Sequence, residues 1–164
     1  MFIVYGTKKF LDRVSAQGVG ADQPTTALGN WYATVVFWRP QAALLVNERT
    51  LMPVIVPLAP VATVMQRSPA HAAAVFEALG LPDSFINSEI AEMSEYRLAK
   101  TQSRSVLGSL NEFVYLGKVF GGSNDAYDPV ALSLRLANVP CAPLYRSHVS
   151  PDHELRAFVA AGEK

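Results

Sequence analysis

The densest run of chemically capable side chains lies between Lys100 and Tyr115. Lys100, Thr101, Ser103, Arg104 and Ser105 place two cations and three hydroxyls within six residues. Ser103 is a favoured N-cap, so a helix starting there leaves its first-turn N–H groups without intrahelical acceptors at the same place. Cations at that end oppose the helix dipole by ~0.3–1 kcal/mol each when exposed. A phosphate or carboxylate converts that cost into attraction, because helix N-termini bind anions. Farther along, Asn111 and Tyr115 fall in line with Arg104 and Gly108, spaced i, i+4, i+7 and i+11, with Lys118 beside them. A basic head, a glycine gap, an amide and a phenol along one helix line form a surface suited to a partner. The competing reading makes Ser103 a cap and nothing more. Lys100 and Arg104 would then pair with Glu77, Asp83, Glu89, Glu92 and Glu95 just upstream.

Other constellations carry less. His148, Asp152 and His153 are the only clustered metal-capable residues. A spacing of five, broken by Pro151, does not put both histidines on one helix face, so a solvated cap region is expected and no metal site. His71 has no partner near it in sequence. Asn124-Asp125 with Asp128 could hold a cation, but Asp128 already has a capping role. Gly18-Val-Gly20 is too short for a dinucleotide fingerprint, and no Walker loop, G-x-S-x-G or C-x-x-C occurs. Trp31, Tyr32, Phe37 and Trp38 lack the interleaved basic residues of a base-stacking platform and read as core. The single cysteine, Cys141, reads as a small buried apolar residue in a reducing cytoplasm. No catalytic set and no cofactor are identified.

The elements that must position the 100–118 segment follow from periodicity and punctuation. Phe2 to Tyr5 reads as a buried strand, and Thr7 caps a helix from Lys8 to about Ala16. Residues 15–30, rich in Gly, Ala and Thr, read as a surface loop. Trp31 to Trp38 is the strongest strand signal; Trp31, Ala33, Val35 and Phe37 alternate with Tyr32, Thr34, Val36 and Trp38, and both sets are largely apolar. Turns at Arg39-Pro40 and Asn47–Thr50 make a meander with Gln41–Val46 and Leu51–Pro57. Pro53 and Pro57 place the third strand at an edge or a bulge. Ser68-Pro69, Asp128-Pro129 and Ser150-Pro151 read as cap-and-proline helix starts. A helix from Asp83 to about Met93 and a short strand at Tyr96–Lys100 precede the Ser103 helix, which ends at Gly121-Gly122. In that helix Val106, Leu107, Leu110, Phe113, Val114, Gly117 and Phe120 form the core stripe, and Gly117 invites another element close. The expected fold is α+β: one domain over 1–164, a small antiparallel meander sheet, and about five helices mainly on one face.

Three blocks resemble an uncharacterised family of small bacterial domains. They are Asn30-Trp-Tyr-Ala33; Lys100-Thr-x-x-Arg-Ser-Val-Leu-Gly-Ser-Leu-Asn-Glu112; and Leu132-Ser-Leu-Arg-Leu-Ala137 with Pro140-Cys-x-Pro143. The resemblance covers the chain apart from the loop before Trp31. It implies a bacterial, cytoplasmic origin and carries over no catalytic residue.

Composition bounds the remaining choices. With 164 residues, 50% hydrophobic and 17% charged, the chain is long enough for a shared core and too apolar for disorder. Fourteen basic residues balance fourteen acidic ones, which argues against a protein that coats nucleic acid or an anionic membrane. No secretory signal is read at Met1–Lys9, and the apolar stretch Leu51–Met65 is too short and too proline-rich to span a bilayer. The expected function is a binding or regulatory module that takes a protein partner or anionic ligand on the 100–118 helix. Homodimerisation through the meander's edge strand or an apolar helix face is compatible with it. One alternative is an enzyme on a phosphorylated or nucleotide-like substrate, with Lys100 and Arg104 on the phosphate and Ser103, Ser105 and Tyr115 near the chemistry. A second is a nucleic-acid binder using the basic cluster from Arg97 to Lys118.

Overall fold

A strand with apolar side chains on both faces needs cover on both sides. The computed structural model describes residues 1–14, 23–122 and 127–162, and there the Trp31 strand is covered twice. The elements run β1 (Phe2–Gly6), α1 (Lys8–Arg13), β2 (Trp31–Val36), β3 (Ala42–Asn47), β4 (Pro53–Pro57), α2 (Val64–Ala78), α3 (Asp83–Glu92), β5 (Tyr96–Lys100), α4 (Arg104–Gly117), α5 (Pro129–Ala137) and α6 (Pro151–Gly162). Five strands form one mixed sheet in the order β4-β3-β2-β1-β5. The meander β2-β3-β4 is antiparallel, whereas β1 pairs in parallel with both β2 and β5. The fold is α+β, with β2 at the centre of the sheet.

The helices do not gather on one face. Phe2, Val4, Trp31, Ala33, Val35, Leu45 and Val54 point into a core with residues of α1, α2, α3 and α6. Ile3, Tyr5, Tyr32, Val36, Leu44, Val46 and Ile55 point the other way, into a second core with Val106, Leu110 and Phe113 of α4. Helix α5 serves both, giving Ala137 to the first core and Leu132 and Leu136 to the second. Trp31 and Tyr32, neighbours on opposite faces, are each 1% exposed, so neither core is subsidiary. Phe37 departs from the expected pattern. Strand β2 ends at Val36, and the Phe37 ring is 62% exposed beneath the Lys9 ammonium.

The meander turn and the segment before β2 are fixed by one buried amide. Asn47 Nδ2 donates to the carbonyls of Leu28 and Asn30, while its Oδ1 accepts from Arg49 N, Thr50 N and Thr50 Oγ1. Every polar atom of this fully buried group has a partner, as burial requires. The buried carboxylate of Glu89 does the same for the other end of the segment, accepting from Ala27 N at 2.9 Å and Leu28 N at 3.1 Å. Of the expected 15–30 loop, residues 15–22 lie outside the described residues, as do Asn124 and Asp125.

The edge at β4 offers no free N–H. In the register of β3 and β4, Val54 and Val56 bond inward and residues 53, 55 and 57 face out. Two of those three are prolines without an N–H, and the third, Ile55 N, donates to the buried Ser133 Oγ at 3.0 Å. Arg67 closes the outlet by donating to the carbonyls of Pro57, Leu58 and Pro60. The edge position of this strand is as the prolines predict, and none of its outward positions has an N–H left to pair.

The Ser68-Pro69 start is also corrected. Helix α2 begins at Val64, and Pro69 sits inside it. The Ser68 hydroxyl turns back to the Val64 carbonyl at 2.7 Å and caps nothing. Thr7, Ser103 and Asp128 do cap α1, α4 and α5, each accepting from first-turn N–H groups. At Ser150 the hydroxyl instead donates to Asp152 Oδ1, which also accepts from His153 N.

Candidate functional site

Strand β5 delivers the chain to the start of α4 through Thr101, Gln102 and Ser103. Two hydrogen bonds anchor that start. Ser103 Oγ accepts from Val106 N at 3.3 Å, and Ser103 N donates to Tyr32 Oη at 3.0 Å. Tyr32 rises from the centre of the sheet and stacks on Tyr5, ring centroids 5.1 Å apart. Burial raises the Tyr32 phenol above its ordinary pKa, outweighing the stabilising bond from Ser103 N, so the hydroxyl stays neutral. Sequence reasoning took Tyr32 for core only. Its place two strands from β5, opposite a polar helix start, depends on parallel pairing that no local pattern encodes.

The inner face of α4 is the expected stripe. Val106, Leu110, Phe113 and Gly117 are buried. A Cβ on Gly117 would lie 2.4 Å from Cζ2 and 2.5 Å from Cη2 of Trp38, so the glycine is what lets this ring pass. Trp38 is held in turn by Tyr127, edge to face at 5.8 Å, whose hydroxyl donates to the Pro40 carbonyl. After Gly117 the helix widens into a π turn at Lys118–Gly122, and Gly121, at φ 132°, ends it in a conformation that only glycine adopts freely.

The outer face carries the predicted line. Arg104, Ser105, Gly108, Asn111 and Tyr115 are all exposed, Tyr115 by 67%. Val119, which sequence reasoning left out, adds an apolar side chain 61% exposed. Lys100 is exposed at the end of β5, and Thr101 and Ser103 are half-buried. Neither Lys100 nor Arg104 forms an ion pair with any described residue. Two of the upstream acids expected to neutralise them are occupied elsewhere. Glu89 is buried under Ala27 and Leu28, and Glu92 accepts from Thr25 and bridges the Met1 amine at 3.6 Å. Those bonds hold the Glu92 carboxyl below its ordinary range, the Thr25 bond most of all.

These residues make a line and not a pocket. Eleven residues at 1.5 Å per residue separate Arg104 from Tyr115 by about 16 Å. Tyr115 therefore stands about three helical turns from Ser103 and Ser105. Clefts of about 300 and 450 Å³ open elsewhere, one by Phe120, Tyr127 and Arg135 and one by Arg13, Gln41 and Leu58.

The remaining candidates have structural partners. His148 Nδ1 meets Glu154 at 2.9 Å, and His153 Nδ1 lies 3.1 Å from Ser150 Oγ. Asp152, 6% exposed, accepts from Ser150, Asn138 and His153 N and so ties the end of α5 to the start of α6. Burial raises its pKa, but the hydrogen bonds outweigh burial and hold the carboxyl below the usual aspartate value. Burial and the Arg67 charge depress the pKa of His71, leaving a neutral imidazole. Among the described residues no three His, Cys, Asp or Glu side chains are grouped to hold a metal ion. Burial, aided by the Glu112 charge, pushes the Cys141 thiol up to about 11.

A family model matches residues 3–154, nearly the whole described fold and all of α4. The chain belongs to the family described as Domain of unknown function (DUF6933). Curated proteins and solved structures gave no match. No helix of the described residues is long and apolar enough to cross a membrane.

Proposed function

We propose that this member of the DUF6933 family is a non-catalytic binding module whose α4 outer face receives an acidic segment of a protein partner. The observation that supports it is the exposed line Arg104–Gly108–Asn111–Tyr115, headed by two cations without ion pairs among the described residues. A straight line about 16 Å long suits an extended protein surface better than a small metabolite, which takes a concave site. An exposed phenol and an arginine on one face are the residue types that dominate protein interfaces. The charge favours an acidic partner, since carboxylates near Ser103 would answer Lys100, Arg104 and the helix dipole together. We place the module in a bacterial cytoplasm, the origin implied by the three sequence blocks and consistent with a single, buried cysteine.

The probe is a fluorescent eight-residue peptide alternating glutamate and valine, with a glutamine–valine counterpart, followed by anisotropy at low and moderate salt. The glutamate peptide binds and the glutamine peptide does not; Arg104→Ala combined with Asn111→Ala weakens binding about tenfold, equivalent to one charge-assisted hydrogen bond. Equal binding of both peptides, or an unchanged double variant, overturns the reading.

A further inference from the structure

The two edges of the sheet are treated in opposite ways. At β4 none of the three outward positions offers a free N–H: two are prolines and Ile55 N is taken by Ser133. At β5 the register is fixed by Phe2 N donating to Glu95 O, so Arg97 and Ala99 bond inward to β1. Tyr96, Leu98 and Lys100 then turn their N–H and C=O groups outward. The Tyr96 carbonyl is taken by Arg97 Nη1 at 3.0 Å, whereas the outward groups of Leu98 and Lys100 have no hydrogen-bond partner among the described residues. Leu98 is 7% exposed, with its side chain in the first core, and Lys100 is exposed; an edge of unpaired donors and acceptors is a template for an extended backbone.

We propose that the outer edge of β5 takes an extended acidic segment as a sixth strand. The inference deepens the binding-module reading and rests on it for the acidic chemistry of the partner. Charge selects this occupant. Lys100 ends the open edge and Arg104 stands four residues on, both exposed and neither in an ion pair with a described residue. A strand that pairs with Leu98 and Lys100 and runs on past Lys100 reaches the start of α4, where its carboxylates meet Arg104. Backbone bonds then supply affinity, and alternate side chains supply selectivity.

The test separates backbone from charge at one position. Lys100→Ala removes the ammonium and its aliphatic stem but keeps the backbone N–H; Lys100→Pro also removes the outward N–H, the device that Pro57 already provides at the last residue of β4. Circular dichroism confirms that both variants fold. With the glutamate–valine peptide, Lys100→Ala binds a few-fold more weakly than wild type, and Lys100→Pro about tenfold more weakly again. A peptide N-methylated at alternate residues, unchanged in charge, does not bind, and the Leu98 amide exchanges more slowly when the unmethylated peptide is present. If Lys100→Pro matches Lys100→Ala and the methylated peptide binds normally, strand addition is overturned. The α4 reading then survives provided Arg104→Ala with Asn111→Ala still loses affinity. Loss in Lys100→Pro with no loss in that α4 variant overturns the α4 reading and keeps the edge. Sedimentation showing a wild-type dimer that Lys100→Pro dissociates assigns the edge to a second copy and overturns the peptide occupant.

Discussion

Two glycines of the same helix should answer the same substitution with opposite signs. Gly108 is exposed on α4, and a Cβ added there would have no atom within 4 Å, so alanine gains helix propensity and meets nothing. Gly108→Ala should stabilise the protein by up to about 1 kcal/mol. At Gly117 a methyl carbon would lie 2.4 Å from Trp38, when ordinary contact begins near 3.4 Å. Clearing it requires a shift of about 1 Å in a ring or a helix. The ring has little room to yield: it is 4% exposed and braced by Tyr127, which is itself tied to Pro40. Overpacking of this kind costs about 1–3 kcal/mol. Gly117 is the last α-helical residue before the π turn, so its propensity gain is smaller than at a central position, and a net loss of about 1–2 kcal/mol is expected. Urea unfolding followed by far-ultraviolet circular dichroism measures both midpoints, and Trp38 fluorescence should report the disturbance in Gly117→Ala alone. A Gly117→Ala protein as stable as Gly108→Ala would refute the argument that the glycine exists to admit the indole.

Three further outcomes follow from named contacts. Asp152 has a folded pKa below its unfolded one, so its contribution is complete at neutral pH and is lost as pH falls through the carboxyl range and past the folded value; Asp152→Asn should flatten that acid limb in pH-dependent urea melts. Ser133→Ala leaves Ile55 N buried without its acceptor and should cost about 1–3 kcal/mol in the same assay, whereas an exposed serine such as Ser105 should tolerate alanine within about 0.5 kcal/mol. Cys141, 3% exposed with its thiol pushed up to about 11, should resist iodoacetamide at neutral pH for hours and react fully once the chain is unfolded in urea.

The helix and strand that matter most were legible because each follows a single local rule. Helix α4 pairs a capping serine with a clean 3.6-residue stripe, and β2 is β-branched or aromatic at every position but Ala33. The meander was equally open to reading, since turn residues and edge prolines mark its strands. What escaped depends on contacts distant in sequence. The parallel docking of β1 between β2 and β5 is set by which apolar faces meet, not by any property of Phe2–Gly6 itself. The two-sided distribution of helices was implied by the apolar alternation of Trp31–Trp38 on both faces, a strand that one layer of helices cannot cover. Helix α2 starts at Val64 because Arg67 fastens its first turn to the carbonyls of Pro57, Leu58 and Pro60. Beside that anchor, the missing N–H of Pro69 removes one helix bond and the helix persists. The line on α4 could be read from spacing, but its freedom from the upstream acids could not. That required knowing that Glu89 and Glu92 face the segment before β2 instead.

The unequal edges also limit how large any sheet-mediated assembly can grow. In polymer terms, the proposed strand addition makes this fold a monofunctional unit: β4 offers no outward N–H among the described residues, and β5 is the end that reacts. Copies joined at their β5 edges would stop at two, with a β4 lacking outward N–H donors at each extremity. Growth into open-ended fibrils, the hazard of sheets with two free sides, would first require tearing α5 and Ser133 away from Ile55.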